Sequence, residues 1–473
     1  MPEVLKCDIC VIGGGSAGLS VAAGAAQLGA RTILFERGEM GGDCLNYGCI
    51  PSKALLAAAH RAQTAREAKA FGIHCRDIEI DFPTVMGHVR SVIAEIAPHD
   101  SAARFEKLGV RVIKAEARFT GCREVSGGGV RVEARRFVIA TGSTAMLPPI
   151  TGLSDIPVLT NETIFSLTRR PDHLLIVGGG PIGIELAQAF RRLGSAVTIF
   201  EGAQLLQKDA PEFVDILRRQ LLAEGVVIHE GVKISRVAPL SNGVSVELEG
   251  TPKRIEGTHL LVAASRKPRI DGLDLERARI NFTPKGVTVD AGLRTSNRRV
   301  YAIGDVSGGP QFTHIASYQA GIVVRSALFR LPAKVNYDAL PWVTYCEPEL
   351  AHVGLTEAEA RQRFGADVEL VKVDFAANDR AQAERETVGG IRAVIRKDGT
   401  ILGASILGKN AGELVALWGL AIANKKKLRA MTHVIFPYPT RGEISKSAAS
   451  SFYSPKLFSL WPRRLVWLLQ KLG

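Results

Sequence analysis

A continuous apolar run that breaks into a glycine turn and then a helix constrains this chain more than any other feature, and it occurs twice. The stretches are "CDICVIGGGSAGLSVAAGAAQLGARTILFER", from Cys7 to Arg37, and "HLLIVGGGPIGIELAQAFRRLGSAVTIFEG", from His173 to Gly202. Each apolar run is that of a parallel strand buried on both faces, and each leads into G-x-G-x-x-G: Gly13, Gly15 and Gly18, then Gly178, Gly180 and Gly183. In this pattern the first glycine allows a tight turn, the second lets backbone approach a pyrophosphate, and the third lets helix and strand pack closely. The helix N–H groups then face the phosphates. Both units end in a carboxylate, Glu36 and Glu201, 23 residues after the first glycine and suited to accept ribose hydroxyls. Two complete units predict an α/β fold with two Rossmann-like domains and two bound dinucleotides.

The flanking segments extend this frame. "RRFVIATGS" (Arg135–Ser143) and "RRVYAIGDVSG" (Arg298–Gly308) are apolar strands that end in small residues, Thr141 and Gly142 among them, where a ligand can come close. Asp305 either meets a polar ligand group or caps the turn. Past residue 340 the texture changes: Arg392–Gly408 predicts a hairpin about Asp398-Gly399, and residues 341–473 are expected to form a separate α+β domain.

A length of 473 residues suffices for about three domains, and 46% hydrophobic with 23% charged residues is the composition of a soluble globular chain. The net charge of +13 favours anionic partners such as dinucleotides, acidic proteins or an anionic membrane face. Nucleic acid is not the expected partner, since no basic helix is interleaved with aromatics. The start Met1-Pro2-Glu3 runs straight into a strand, so no secretory signal fits and a cytoplasmic location is expected.

Seven cysteines are too few for a disulfide scaffold. Cys7 and Cys10 form a C-x-x-C inside an apolar strand with no second C-x-x-C to complete a zinc site, so they are expected to be packing residues and no metal site is assigned. Cys44 and Cys49 differ. They lie in "GGDCLNYGCIPSK" (Gly41–Lys53), a Gly-rich entry to an Ala-rich helix and a poor place for packing residues.

Two dinucleotide units, a C-x4-C at the first and a terminal α+β domain together resemble the pyridine nucleotide–disulfide oxidoreductases, over residues 5 to 450. The family includes dihydrolipoamide dehydrogenase, glutathione reductase and mercuric reductase. The resemblance implies an FAD-binding domain over residues 1–150 with a second part at 271–340, and an NAD(P)H-binding domain over 151–270. It also implies a dimerisation domain over 341–450 that makes a homodimer, leaving a basic tail at 451–473. Cys49 would be the thiolate against the flavin and Cys44 the interchange thiol of a redox disulfide; Lys53 and Glu185 match an ion pair beside the flavin, and Asp305 a second FAD contact. The residues agree, because a helix N-terminus and a lysine both lower a thiol's pKa. Glu201 would accept a ribose 2′-OH but repel a 2′-phosphate, and "GAQLLQ" after it offers no arginine, so NAD is expected over NADP. Pro181 stands where dihydrolipoamide dehydrogenases place a tyrosine over the flavin.

The departure that matters most is "FPYPTRGE", Phe436–Glu443. Family members that exchange dithiols use a histidine here, oriented by a glutamate; this chain has Tyr438 and Glu443. A phenol titrates near 10 against ~6.5 for imidazole, so Tyr438 stays protonated at neutral pH unless strongly perturbed. Mercuric reductase carries a tyrosine at this place, but it also carries paired terminal cysteines, and this sequence ends "WPRRLVWLLQKLG". The expected activity is therefore that of an FAD-dependent, NADH-oxidising enzyme most like dihydrolipoamide dehydrogenase. It would pass electrons through Cys44–Cys49 to a small-molecule or protein-bound disulfide. The alternatives are a soft-metal or quinone reductase resembling mercuric reductase, and a non-enzymatic FAD-binding interaction protein.

In the tail, Pro462 suits a helix's first turn, and Leu465, Leu468, Leu469 and Leu472 form one stripe with Trp467 beside it and Arg463, Arg464 and Lys471 away from it. Such a helix either packs on the protein's own dimer or lies peripherally on the inner face of a membrane.

Overall fold

The computed structural model describes residues 3–472; Met1 and Pro2, on which the reading of the chain's start rests, and Gly473 lie outside the described residues. The chain forms two compact units. The first comprises the chain up to Gly179 with Leu186–Gly202 and Val226–Val335, and the second Gly180–Glu185, Ala203–Gly225 and the chain from Asn336 onward.

The first unit holds both glycine-turn sheets. In one, strands Val110–Lys114, Thr32–Glu36, Glu3–Ile12, Val130–Ile139 and Val300–Ala302 run parallel, and the hairpin Arg118–Gly121/Glu124–Gly127 adds an antiparallel edge. Its central strand is apolar on both sides because both faces are covered: Ile9 and Val11 pack with the Ser16–Gln27 helix, while Cys7, Cys10 and Ile12 join Phe137 and Phe119 in the opposite layer. Cys7 and Cys10 are thus core residues, as their setting predicts. The second sheet is wholly parallel, in the order Val227–Glu230, Ala196–Glu201, His173–Val177, His259–Val262, Val158–Leu159.

Local chemistry dictates the turns. Gly13 (φ +109°) and Gly178 (φ +117°) occupy the left-handed side of backbone space, and a Cβ on either would strike backbone, Ala140 O at 2.3 Å or Ala263 O at 2.6 Å. Ser16–Gln27 is built from small residues, so Ala17, Gly18, Val21, Ala22 and Ala25 can all be buried.

The second unit is built on an antiparallel sheet ordered Pro341–Thr344, Glu349–Gly354, Ile401–Gly408, Gly390–Arg396, Val368–Asp374. The hairpin predicted about Asp398-Gly399 is present, with Gly399 at φ +87°. Helices Ala411–Ala423 and Glu443–Leu457 cover the sheet around the fully buried Trp418, whose indole N–H donates to Ser445 Oγ at 3.1 Å. Burying an indole this way stabilises the unit only because its N–H is satisfied. Beyond lies the tail helix Leu460–Leu469, which buries none of its residues; it begins two residues before Pro462. Among the described residues no helix is long and apolar enough to cross a membrane.

Candidate active site

The cysteine loop is laid directly on the first glycine turn. Gly41 N donates to Gly14 O at 2.9 Å, and a Cβ on Gly42 would come within 2.7 Å of Gly15 Cα. Asn46 Nδ2 ties the loop down through Met40 O (3.1 Å) and Gly42 O (2.9 Å). Cys44 sits in the short helix Gly42–Asn46, and Cys49 is the first residue of the helix Cys49–Glu67. Both cysteines are free thiols, Cys49 exposed and Cys44 half-buried.

Two helix N-termini meet at Cys49. Its sulfur lies 3.3 Å from the hydroxyl of Thr313, itself the first residue of the helix Thr313–Leu328. Hydrogen bonding from Cys44 draws the Cys49 thiol down to about 6, and Thr313 and the Lys53 charge add to this against burial and Asp43. Cys44 moves the other way: its hydrogen bond to Cys49 and its burial hold it well above the ordinary thiol range. The pair therefore shares one proton at neutral pH, carried by Cys44, with the negative charge on Cys49. Lys53, one turn along the helix from Cys49, donates to Ser52 Oγ at 3.4 Å.

An ionic chain runs alongside. The Arg266 guanidinium lies 3.2 Å from Asp43 Oδ2 and 3.8 Å from Asp305 Oδ2. Ser143 Oγ donates to Asp305 Oδ2 at 2.5 Å and accepts from Arg266 Nε at 2.7 Å, while Asn161 Nδ2 donates to Asp43 Oδ1 at 3.0 Å. Burial raises the Asp305 carboxyl, with Ser143 and Arg266 opposing. Asp305 is thus one end of a partly buried polar network and not a lone turn cap. Thr141 and Gly142 are fixed by Arg269, through Thr141 Oγ1 to Arg269 O (2.7 Å) and Arg269 N to Gly142 O (2.9 Å).

The two acids that close the glycine units are positioned alike. Glu36 Oε2 accepts from Gly14 N at 2.5 Å and Oε1 from Gly38 N at 2.6 Å; Glu201 Oε2 accepts from Gly179 N at 2.6 Å. Each carboxylate is thereby held at its own glycine turn. A Cβ on Gly15 would meet only Gly42 Cα, at 3.8 Å, and one on Gly180 would find nothing within 4 Å. Room at the second glycine of each set is what a pyrophosphate needs, so the residues fit FAD at the first turn and a nicotinamide dinucleotide at the second.

The remaining predicted residues lie in the second unit. Glu185 is buried there, its Oε1 accepting from Tyr345 N at 2.9 Å. Tyr438 is 71% exposed and donates to Asp379 Oδ2 at 2.8 Å, which pushes the phenol's pKa further up. Glu443 instead accepts from Thr440 N at 3.1 Å, so the structure gives the phenol a different carboxylate from the one its sequence position suggests. Thr313, Arg266, Ser143, Asn161 and Asp379 escaped sequence reasoning. Only Thr313 carries a local signal, a threonine at the head of a helical pattern, and that marks a helix start without naming its sulfur partner.

The chain matches the family described as pyridine nucleotide-disulphide oxidoreductase over residues 7–320, and the dimerisation domain of that family over 340–449. It is 36% identical over 455 residues to the dihydrolipoyl dehydrogenase of Geobacillus stearothermophilus, covering 94% of this chain and 96% of that one. It is 33% identical over 450 residues to the mercuric reductase of Bacillus cereus, covering 94% and 71%. Among solved structures it resembles the HOCl-induced flavoprotein disulfide reductase RclA from Escherichia coli, with a TM-score of 0.84 and 29% identity over 94% of this chain and 99% of that one. The Cu(II) complex of RclA matches with the same TM-score and identity over 93% and 99%.

Proposed function

Because the chain belongs to the pyridine nucleotide-disulphide oxidoreductase family, and is an FAD-dependent NAD(P)H oxidoreductase of the disulfide reductase class, we propose that it oxidises NADH and delivers the electrons through Cys44 and Cys49 to a disulfide acceptor. The dimerisation domain supports a homodimer. The observation that carries the reading is the division of labour between the two sulfurs: Cys49 drawn down to about 6 and Cys44 held up.

FAD supplies the two-electron step between the nicotinamide and the thiol pair. Gly13, Gly15, Gly18 and Glu36 would hold its adenosine diphosphate part, with Thr141, Gly142 and Asp305 as further contacts. Gly178, Gly180, Gly183 and Glu201 would hold NADH, Glu201 selecting a free ribose 2′-OH. Lys53 and Thr313 stabilise the Cys49 thiolate. Cys44, once its proton leaves, attacks one sulfur of the acceptor and releases the first thiol. Cys49 then attacks the Cys44 sulfur, releases the second thiol and restores the internal disulfide, so that NADH, a proton and one disulfide become NAD⁺ and two thiols.

Tyr438 favours a second acceptor. With a protonated phenol at the place of the usual imidazole, nothing at that position takes up the Cys44 proton readily. A soft metal ion displaces the thiol proton as it binds sulfur and needs no such base. Relatives named mercuric reductase, and a relative solved as a Cu(II) complex, support this second reading.

An acceptor panel tests both. NADH loss is followed with lipoamide, glutathione disulfide, Hg(II), Cu(II) and a quinone, in wild type and Cys44→Ser. Acceleration by a disulfide that vanishes in the variant supports the first reading, and acceleration by metal alone the second. Turnover that survives Cys44→Ser sinks both.

A further inference from the structure

We propose that the C-terminal helix is an interfacial anchor that binds the surface of an anionic lipid bilayer. The last large side chain of the Glu443–Leu457 helix to be buried is Phe452. After it Leu457, Phe458, Leu460, Trp461, Leu465, Val466, Leu468, Leu469 and Leu472 are all exposed, between 44% and 77%. Trp461, Leu465, Leu468, Leu469 and Leu472 recur at three- and four-residue spacing and so share one side of the helix. A run of apolar side chains this long, left open to water, marks an interaction surface.

Charge identifies the occupant. From Ile444 onward the sequence contains Lys446, Lys456, Arg463, Arg464 and Lys471 and no Asp or Glu. On the side away from the stripe, Lys471 Nζ stands 3.6 Å over the Trp467 ring, and Arg463, Val466, Trp467 and Gln470 line a shallow, mostly apolar groove with Leu457 and Phe458. Trp467, outside the leucine stripe as expected, stacks against Lys471. A second copy of this helix would bring Arg463, Arg464 and Lys471 against the same three charges. The match to the family's dimerisation domain also ends at residue 449, before the helix begins. An anionic lipid surface fits the stripe and its flank, with leucines among acyl chains, Trp461 at headgroup depth and Arg464, three residues from Trp461 and four from Leu468, reaching phosphates at the edge of the stripe. Ten helical residues reach only about 15 Å against a hydrocarbon core of about 30 Å, so the helix lies along the surface and does not cross it. No residue of the thiol pair takes part, and the inference stands apart from the redox reading.

Co-sedimentation of the FAD-loaded full-length protein with phosphatidylglycerol–phosphatidylcholine vesicles, and with pure phosphatidylcholine, tests it. The comparison chains end at Phe458 or carry R463E/R464E, two exposed positions at which folding is not at stake. Full-length protein is expected to partition onto the mixed vesicles. Each basic residue near the surface is worth about fivefold, so the double charge reversal should cut partitioning at least about tenfold, as should removal of the helix. Dimer mass and NADH oxidation should not change. Equal partitioning of all three chains overturns the proposal. So does a truncated chain that loses its dimer while full-length protein ignores vesicles, since the helix would then pack on a second copy.

Discussion

The Tyr438 hydroxyl donates to Asp379 Oδ2 at 2.8 Å, and this one contact turns the phenol away from base chemistry. A carboxylate that accepts the phenolic proton stabilises the neutral form and adds negative charge next to any phenolate, so the phenol's pKa rises above its ordinary value. Two outcomes follow. Asp379→Asn should lower the titration midpoint of one exposed tyrosine, read as tyrosinate absorbance in an alkaline titration. Tyr438→His should raise dihydrolipoamide oxidation more than tenfold near pH 7, because an imidazole titrates about 3.5 units lower. A neutral or harmful effect of the histidine would place the missing base elsewhere, His433 being the nearest candidate in the sequence.

Thr313 offers a test of the sulfur assignment that does not remove a sulfur. Its hydroxyl stabilises the Cys49 thiolate across 3.3 Å, so Thr313→Val should move the pH midpoint of iodoacetamide alkylation of the reduced enzyme upward from about 6. With flavin bound, the long-wavelength band expected after anaerobic NADH should survive Thr313→Val with its pH profile shifted. It should disappear in Cys49→Ser. A band that persists in the serine variant would mean the two sulfurs are assigned the wrong way round.

On the proposed reading Glu201, whose carboxylate is held by Gly179 N at 2.6 Å, selects the nucleotide. A 2′-phosphate would meet this carboxylate at close range, so NADH should exceed NADPH in kcat/KM by more than tenfold, about 1.4 kcal/mol. Glu201→Ala should narrow that ratio chiefly by improving NADPH. Equal use of both nucleotides by the wild type would remove Glu201 as the selector.

What could be seen in the sequence was whatever short spacing encodes. The glycine turns, their terminal acids, the cysteine loop and the Asp398-Gly399 hairpin are all local, and each stands where its spacing puts it. Partners brought together by topology left no such trace. Cys49 and Thr313 are 264 positions apart, and Tyr438 and Asp379 are 59 apart, distances over which no periodicity carries information. Arg266 illustrates the same limit: an arginine following an apolar strand reads as surface charge until the fold closes Asp43 and Asp305 about it. The tail shows the converse, since its stripe was legible as a helix face while its exposure depends on what else the chain packs there.

One carboxyl of the second unit should make a separable contribution to its pH-dependent stability. Asp209 is buried, and its acid group is pushed up to about 6 by that burial, although Trp342 Nε1 donates to its Oδ1 at 2.8 Å. An unfolded aspartate titrates near 3.9, so between these two values the folded chain holds a proton that the unfolded chain has released. Where the folded state binds more protons, stability falls as pH rises, and the loss should be complete just above pH 6, on the order of 2–3 kcal/mol. His352, whose ring is 4.3 Å from that of Trp342, works in the opposite sense: burial draws it down to about 4, so its contribution is lost as pH falls below about 6.5. Asp209→Asn keeps an oxygen for the indole and removes the ionisation, while leaving His352 in place in both proteins. Denaturant unfolding of the two at pH 4 and pH 8 should therefore show a stability difference that shifts in favour of Asn at the higher pH by roughly 2 kcal/mol, with the histidine effect cancelling. A difference that stays constant across that range would mean that Asp209 ionises as an ordinary exposed carboxyl does.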